Sequence, residues 1–207
     1  MGTVIRMRSI LSRTVVETTV SKSRFIALLS PVRDADGAAA LLDEARRRYP
    51  DATHHCHAYV LGEAGDVHRA SDDGEPGGTA GTPMLETIRR AGFTDVAVVV
   101  VRYFGGIKLG AGGLARAYAG AVRAALAAAH PVDPVRFGTY ELTVDAARQG
   151  AVGHLLCEVA ADVKTTYGEC VTFRYRLRER DADGLAARLS RFDGVEPVAV
   201  GTDVLYE

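Results

Sequence analysis

A chain of 207 residues with 47% hydrophobic content is long enough to bury a core and to divide into two modest domains. Its formal net charge of −1 provides no global field for nucleic acid or anionic lipid, so such binding must come from a local patch. The three cysteines, Cys56, Cys157 and Cys170, lack paired spacing, which argues against a disulfide framework or a thiolate metal knuckle and suits a reducing compartment. The opening MGTVIRMRSI has no apolar run long enough for a signal peptide, Arg6 breaks the myristoylation pattern, and no stretch approaches a membrane span. The expectation is a cytoplasmic protein with no membrane partner.

Residues 14–20 alternate and are rich in Val and Thr, which predicts a strand, and Ser21-Lys22-Ser23 turns the chain into a second strand over 25–29. After Pro31, Asp34 or Asp36 caps a helix whose apolar face is Ala38, Leu41, Leu42, Ala45 and Tyr49. Arg46, Arg47 and Arg48 suit the negative end of its dipole, and Pro50 stops it. Residues 56–61 read as a strand. Thr82-Pro83 opens the next helix with the threonine hydroxyl as cap; Met84, Leu85, Ile88 and Ala91 form its buried stripe and Gly92 closes it. Residues 97–101 are apolar on both faces, so they predict a central strand covered from both sides. A long alanine-rich helix follows, with Leu114, Ala117, Tyr118, Ala121, Val122, Ala125 and Leu126 inward and Arg116 and Arg123 leaving by one face.

His130-Pro131-Val132-Asp133-Pro134 cannot continue a helix, so residues 131–136 read as a stiff linker between domains at 1–130 and 137–207. Strands at 140–144, 163–167, 171–177 and 195–204, with helices at 147–161 and 183–192, give the order β-α-β-β-α-β. That is the split βαβ, or ferredoxin-like, plan, and the fold class is α+β.

Two glycine-rich loops, at 71–81 and 103–113, flank the central strand, and each ends at a helix N-terminus. Unpaired N–H groups there attract phosphate or carboxylate. The second loop sets Tyr103, Gly105, Gly106, Lys108, Gly110, Gly112 and Gly113 between Arg102 and Arg116, which reads as an anion or nucleic-acid site. No Gly-Lys-Ser/Thr follows, so it is not a Walker loop, and the G-x-G-x-x-A at 110–115 lies too far beyond its strand for a dinucleotide fold. The competing reading is tight turns and close packing. Asp72, Asp73 and Glu75 either hold a cation through a substrate phosphate or order the loop by ion pairs with Arg102 and Lys108; without EF-hand spacing, ion pairs are favoured. Alternation puts His55 and His57 on one strand face and His54 and Cys56 on the other, so no metal is expected, and Cys56 points into the core. Arg174, Arg176, Arg178 and Arg180 alternate with Phe173, Tyr175, Leu177 and Glu179. This arginine row either tracks RNA phosphates or pairs across neighbouring strands.

The stretch SDDGEPGGTAGTP at 71–83, followed by VVRYFGGIKLGAGGL at 100–114, resembles the signature of the YigZ/IMPACT family. KSRF at 22–25 and ATHHC at 52–56 resemble it too. The resemblance implies a first domain like one in ribosomal proteins, elongation factor G and GHMP kinases, then a ferredoxin-like domain similar to the last domain of elongation factor G. It also implies a link to translation and a binding surface at Asp72, Asp73, Glu75, Arg102, Tyr103, Lys108 and Arg116. Eukaryotic IMPACT proteins regulate translation through an extra N-terminal domain acting on a starvation-response kinase pathway; this sequence does not contain that domain, so the pathway does not carry over. The resulting expectation is a non-enzymatic, cofactor-free protein that binds RNA or the ribosome, or a translation-associated protein, through the glycine loops, with the arginine row assisting. One alternative is a GHMP-kinase-like, nucleotide-dependent enzyme using residues 109–115 with Asp72 or Asp73 as base or metal ligand. The other is a protein–protein adaptor anchored by Tyr103-Phe104.

Overall fold

Apolar side chains at 96–101 point alternately to the two faces of one strand, and each face acquires its own cover. The computed structural model describes residues 7–206, so the reading of the first six residues falls outside it. The described chain forms two units, one reaching Pro134 and taking in Tyr206, the other Val135–Leu205.

The first unit runs β1 (Ser9–Ile10), β2 (Thr14–Val20), β3 (Ser23–Pro31), α1 (Ala35–Arg48), β4 (His54–Leu61), β5 (Val67–Ser71), α2 (Gly81–Arg90), β6 (Val96–Tyr103), α3 (Gly110–Ala128) and β7 (Pro131–Val132). Its five-stranded sheet has the order β2-β3-β6-β4-β5, with antiparallel pairing throughout. Val96, Val98 and Val100 pack with Met84 and Ile88 of α2 and Tyr118 and Val122 of α3. Ala97, Val99 and Val101 pack with Ala38, Leu41 and Ala45 of α1. Period-two alternation in one strand thus builds two cores, one on each face of the sheet.

The helix starts differ from expectation in one case. Asp34, not Asp36, caps α1: its carboxylate accepts from the Gly37 N–H at 2.8 Å. Thr82 does not cap α2, which starts a residue earlier and has no capping side chain of its own. Its cap comes from Asp72, whose Oδ1 accepts from the Ala80 and Gly81 N–H groups at 2.9 and 2.8 Å while Oδ2 accepts from Gly78 at 2.8 Å. Gly81 is needed there, because a Cβ would lie 2.7 Å from the Ser71 backbone nitrogen.

The stretch expected to be a linker is partly a strand. Pro131 and Val132 pair antiparallel with Ile10 and Ser9, and the Leu11 N–H donates to the His130 carbonyl at 2.9 Å. A proline's extended backbone fits such an edge pairing, and its missing N–H costs nothing where no ladder bond is required. Neither two-residue strand is long enough to show a period. The exposed β5 also departs from expectation, because VHRAS has no alternation to announce it.

The second unit runs β8 (Pro134–Val144), α4 (Gln149–Val159), β9 (Ala161–Tyr167), β10 (Val171–Arg178), α5 (Ala182–Leu189) and β11 (Val198–Tyr206), with sheet order β11-β8-β10-β9. The helices contribute Val152, Leu156, Leu185 and Leu189 to a core with Leu142, Val144, Phe173, Tyr175 and Leu177. On β10 the alternate residues Arg174 and Arg176 therefore face away from that core.

Burial opposes ionisation of Asp72, but the N–H donors of Gly78, Gly81 and Ala80 outweigh it and hold the carboxyl below its ordinary value of 3.8. A depressed native pKa adds stability that is present above the unfolded value and is lost as pH falls through the native one. Asp72→Asn replaces one acceptor with a donor, so it should cost about 1–2 kcal/mol at pH 7, measured as a lower melting temperature. The gap between wild type and variant should close as pH drops below about 4.

Candidate functional site

The acidic loop is ordered from within. Asp73, at φ +41, accepts the His55 N–H on Oδ2 at 2.7 Å and Arg46 on Oδ1 at 3.3 Å. Its carbonyl lies 2.8 Å from His54 Nδ1, and the Asp72 carbonyl accepts the Cys56 thiol at 3.0 Å. His55 lies against α1 instead, with Nε2 3.0 Å from the Tyr49 carbonyl, so the two histidines diverge. Burial pushes the Cys56 thiol up to about 12.

Glu75 turns inward and is 8% exposed. Its Oε1 accepts from the Arg102 guanidinium at 2.6 Å and from the Tyr118 hydroxyl at 2.8 Å, with His54 Nε2 at 3.8 Å. Arg102 is 5% exposed, and its guanidinium carbon lies 5.5 Å from the ring centroids of both Phe25 and Phe104. Ser23 Oγ accepts a further, longer bond from it at 3.4 Å. Burial pushes the Tyr118 hydroxyl well above its ordinary range, so it stays a donor. Arg102, expected either at a phosphate or in an ion pair with the acidic loop, is an interior cation paired with Glu75; Lys108 takes no part in that pair.

The second glycine loop is pinned from below and open above. Gly105 donates its N–H to Ser23 Oγ at 3.1 Å, and a Cβ there would stand 2.1 Å from the Lys22 carbonyl carbon and oxygen, so only glycine fits. Phe104 N–H donates to Thr53 Oγ1 at 3.2 Å. Gly106 and Gly110 take φ +84 and +67, and α3 starts at Gly110 with no side-chain cap. Gly110, Ala111, Gly112, Lys108 and Arg116 are exposed, with Gly113 partly so. Among the described residues, Lys108 and Arg116 make no ion pair. Tyr103 is committed elsewhere: its hydroxyl donates to Asp51 at 2.9 Å, and Arg24 stacks on its ring.

These two helix N-termini share a glycine-rich approach but not a state. Asp72 fills the start of α2 with the chain's own carboxylate, whereas the start of α3 has no capping side chain, and Lys108 and Arg116 make no ion pair among the described residues. Only the second end is left without a capping side chain.

The arginine row of the second unit also changes its meaning. Arg174 lies directly across from Glu141 and pairs with it at 3.3 Å; Arg176 pairs with Asp162 at 3.3 Å. The guanidiniums of Arg176 and Arg178 lie over the Phe137 ring at 5.4 and 5.9 Å. Arg180 falls beyond β10, in a short 3-10 turn beside Asp181. These charges serve their own sheet. The sequence reading missed Ser23, His54 and Thr53 as loop partners, and it placed Tyr118 only as one inward residue of an alanine stripe.

Removing the cation from a buried pair strands the anion. Arg102→Met should cost about 3–5 kcal/mol in urea unfolding, and adding Glu75→Gln should restore part of that loss. In native protein at pH 8, iodoacetamide should modify the exposed Cys157 and Cys170 and spare Cys56 until the chain is unfolded.

Residues 21–126, which hold the acidic loop, the second glycine loop and the Glu75–Arg102 pair, match the Impact N-terminal domain. The chain is 38% identical over 171 residues to the IMPACT family member YvyE of Bacillus subtilis (strain 168), covering 82% of this chain and 79% of that one. It is 49% identical over 115 residues to the IMPACT family member YigZ of Escherichia coli (strain K12), covering 55% of this chain and 56% of YigZ. A crystal structure of a protein described as hypothetical superposes with a TM-score of 0.72 and 33% identity over 94% of this chain and 97% of its own. By the matched domain and by these relatives, the chain belongs to the IMPACT family.

Proposed function

We propose that this protein is a non-enzymatic, translation-linked factor that binds RNA phosphate at the start of α3. The carrying observation is the contrast between two helix N-termini: one closed by Asp72, the other exposed beside the unpaired Lys108 and Arg116. Gly105, Gly106, Gly110, Gly112 and Gly113 let the backbone come close to a ligand, and Lys108 and Arg116 contribute charge. Kinship with IMPACT proteins supplies the link to translation. The second unit's β-α-β-β-α-β order and helix-covered sheet support a ferredoxin-like reading, similar to the last domain of elongation factor G. For the first unit we adopt the likeness to the domain shared by ribosomal proteins and elongation factor G.

The kinase reading loses ground on chemistry. Asp72 is engaged by three backbone N–H groups and Asp73 by His55 and Arg46, so neither is free to act as base or metal ligand. Absence of a nucleotide-dependent thermal shift, with or without Mg²⁺, would agree.

RNA affinity measured at several salt concentrations should fall with salt. Lys108→Glu should weaken binding and flatten the log–log slope by about 0.7–0.9 for each phosphate that the protein no longer neutralises. Ribosomes should pellet the wild type and leave the variant in the supernatant. An unchanged slope would overturn the assignment.

A further inference from the structure

Phe104 is exposed over 48% of its surface at the head of the same loop, although a phenylalanine gains by burial. Its inner side is already used: the Arg102 guanidinium lies over the ring at 5.5 Å and continues to the buried Phe25 ring, also at 5.5 Å. Arg102 Nε has no hydrogen-bond partner, so part of that cation's field is directed to the rings rather than spent on an acceptor. The Thr53 bond to the Phe104 N–H holds the backbone beneath the ring. This is a backed aromatic whose outer surface is free.

The charges around it come from two segments. Lys22 sits exposed in the β2–β3 turn at φ +65, and its backbone packs directly on Gly105, the residue after Phe104. Lys108 is exposed four positions beyond Phe104 in the same loop, and among the described residues neither lysine makes an ion pair. The neighbouring Arg24 is different, being held by both carboxylate oxygens of Glu17 at 2.8 and 3.0 Å. Unpaired cations flanking an exposed ring match a chain that alternates negative charge with flat apolar surface. Duplex nucleic acid conceals those flat faces, whereas single strands present them.

We propose that Phe104 is the stacking platform for an unpaired base of a single-stranded polynucleotide whose phosphates lie against Lys22 and Lys108. This rests on the phosphate-binding reading above and names its ligand class.

The test is fluorescence anisotropy with labelled oligonucleotides of one length: single-stranded RNA, single-stranded DNA of the same sequence, the duplex, and an abasic strand with the same number of phosphates. Wild type should bind the normal single strands about tenfold more tightly than the abasic one, and the RNA and DNA arms identify which polynucleotide is preferred. Phe104→Leu should erase that difference while leaving abasic binding unchanged, and Phe104→Tyr should restore it. Lys22→Gln should weaken normal and abasic strands alike. If Phe104→Leu binds normal strands as wild type does while Lys108→Glu still weakens them, the platform is overturned and the phosphate site stands. Equal affinity for duplex and single strand would also overturn it. If wild type binds no strand, both readings fall, and the exposed ring is left to a protein partner.

Discussion

Placing Glu75 and Arg102 in the protein interior carries a large desolvation cost, which their attraction offsets only with help from the groups around them. Tyr118 supplies a second donor to the same carboxylate oxygen, and two aromatic rings enclose the guanidinium. Four separate segments thereby meet at one charge pair: the acidic loop through Glu75, β6 through Arg102, α3 through Tyr118, and the β3 strand through Phe25. The two glycine loops hold their shapes because their roots are tied to this buried group. Their surface residues have no comparable hold.

Once that anchor is set, the difference between the helix starts follows from local chain chemistry. The loop preceding α2 contains an aspartate at the right reach to receive its N–H groups, so the partial charge is cancelled inside the fold. The loop preceding α3 contains glycines, an isoleucine and a lysine, none of which can accept a hydrogen bond through its side chain. A sequence that caps one helix start and leaves the other uncapped has built two different loops from nearly the same glycine pattern.

Much of this fold is readable directly. The β6 valines, the stripes of α1 and α3, and the β-α-β-β-α-β order all express periods that side-chain geometry imposes. What stays hidden depends on partners distant in sequence. An ion pair between the acidic loop and Arg102 is legible from charge alone, but not that Glu75, 27 positions earlier, is the partner or that the pair is buried. Thr82 looks like a cap because capping is usually local, and nothing in the pattern says that Asp72 reaches forward. The row at 174–178 alternates as expected, but register alone decides that Arg174 meets Glu141. The candidate loop residues themselves are nameable by motif; which of their charges are already paired inside the fold is not.

The pairing of β1 with β7 has a consequence for how the chain is made. Ser9 and Ile10 leave the ribosome early, yet the strand that satisfies them is synthesised after α3. The central pairing of β3 with β6 is similarly delayed. Such non-local pairings slow folding, because closure entropy is given up before they form. During elongation the nascent first unit must therefore hold unpaired strand edges, and its seam can close only when residues 131–132 emerge. A chain cut just before them would keep nearly all of the first unit's core side chains and still lack the clasp that joins that unit's beginning to its end.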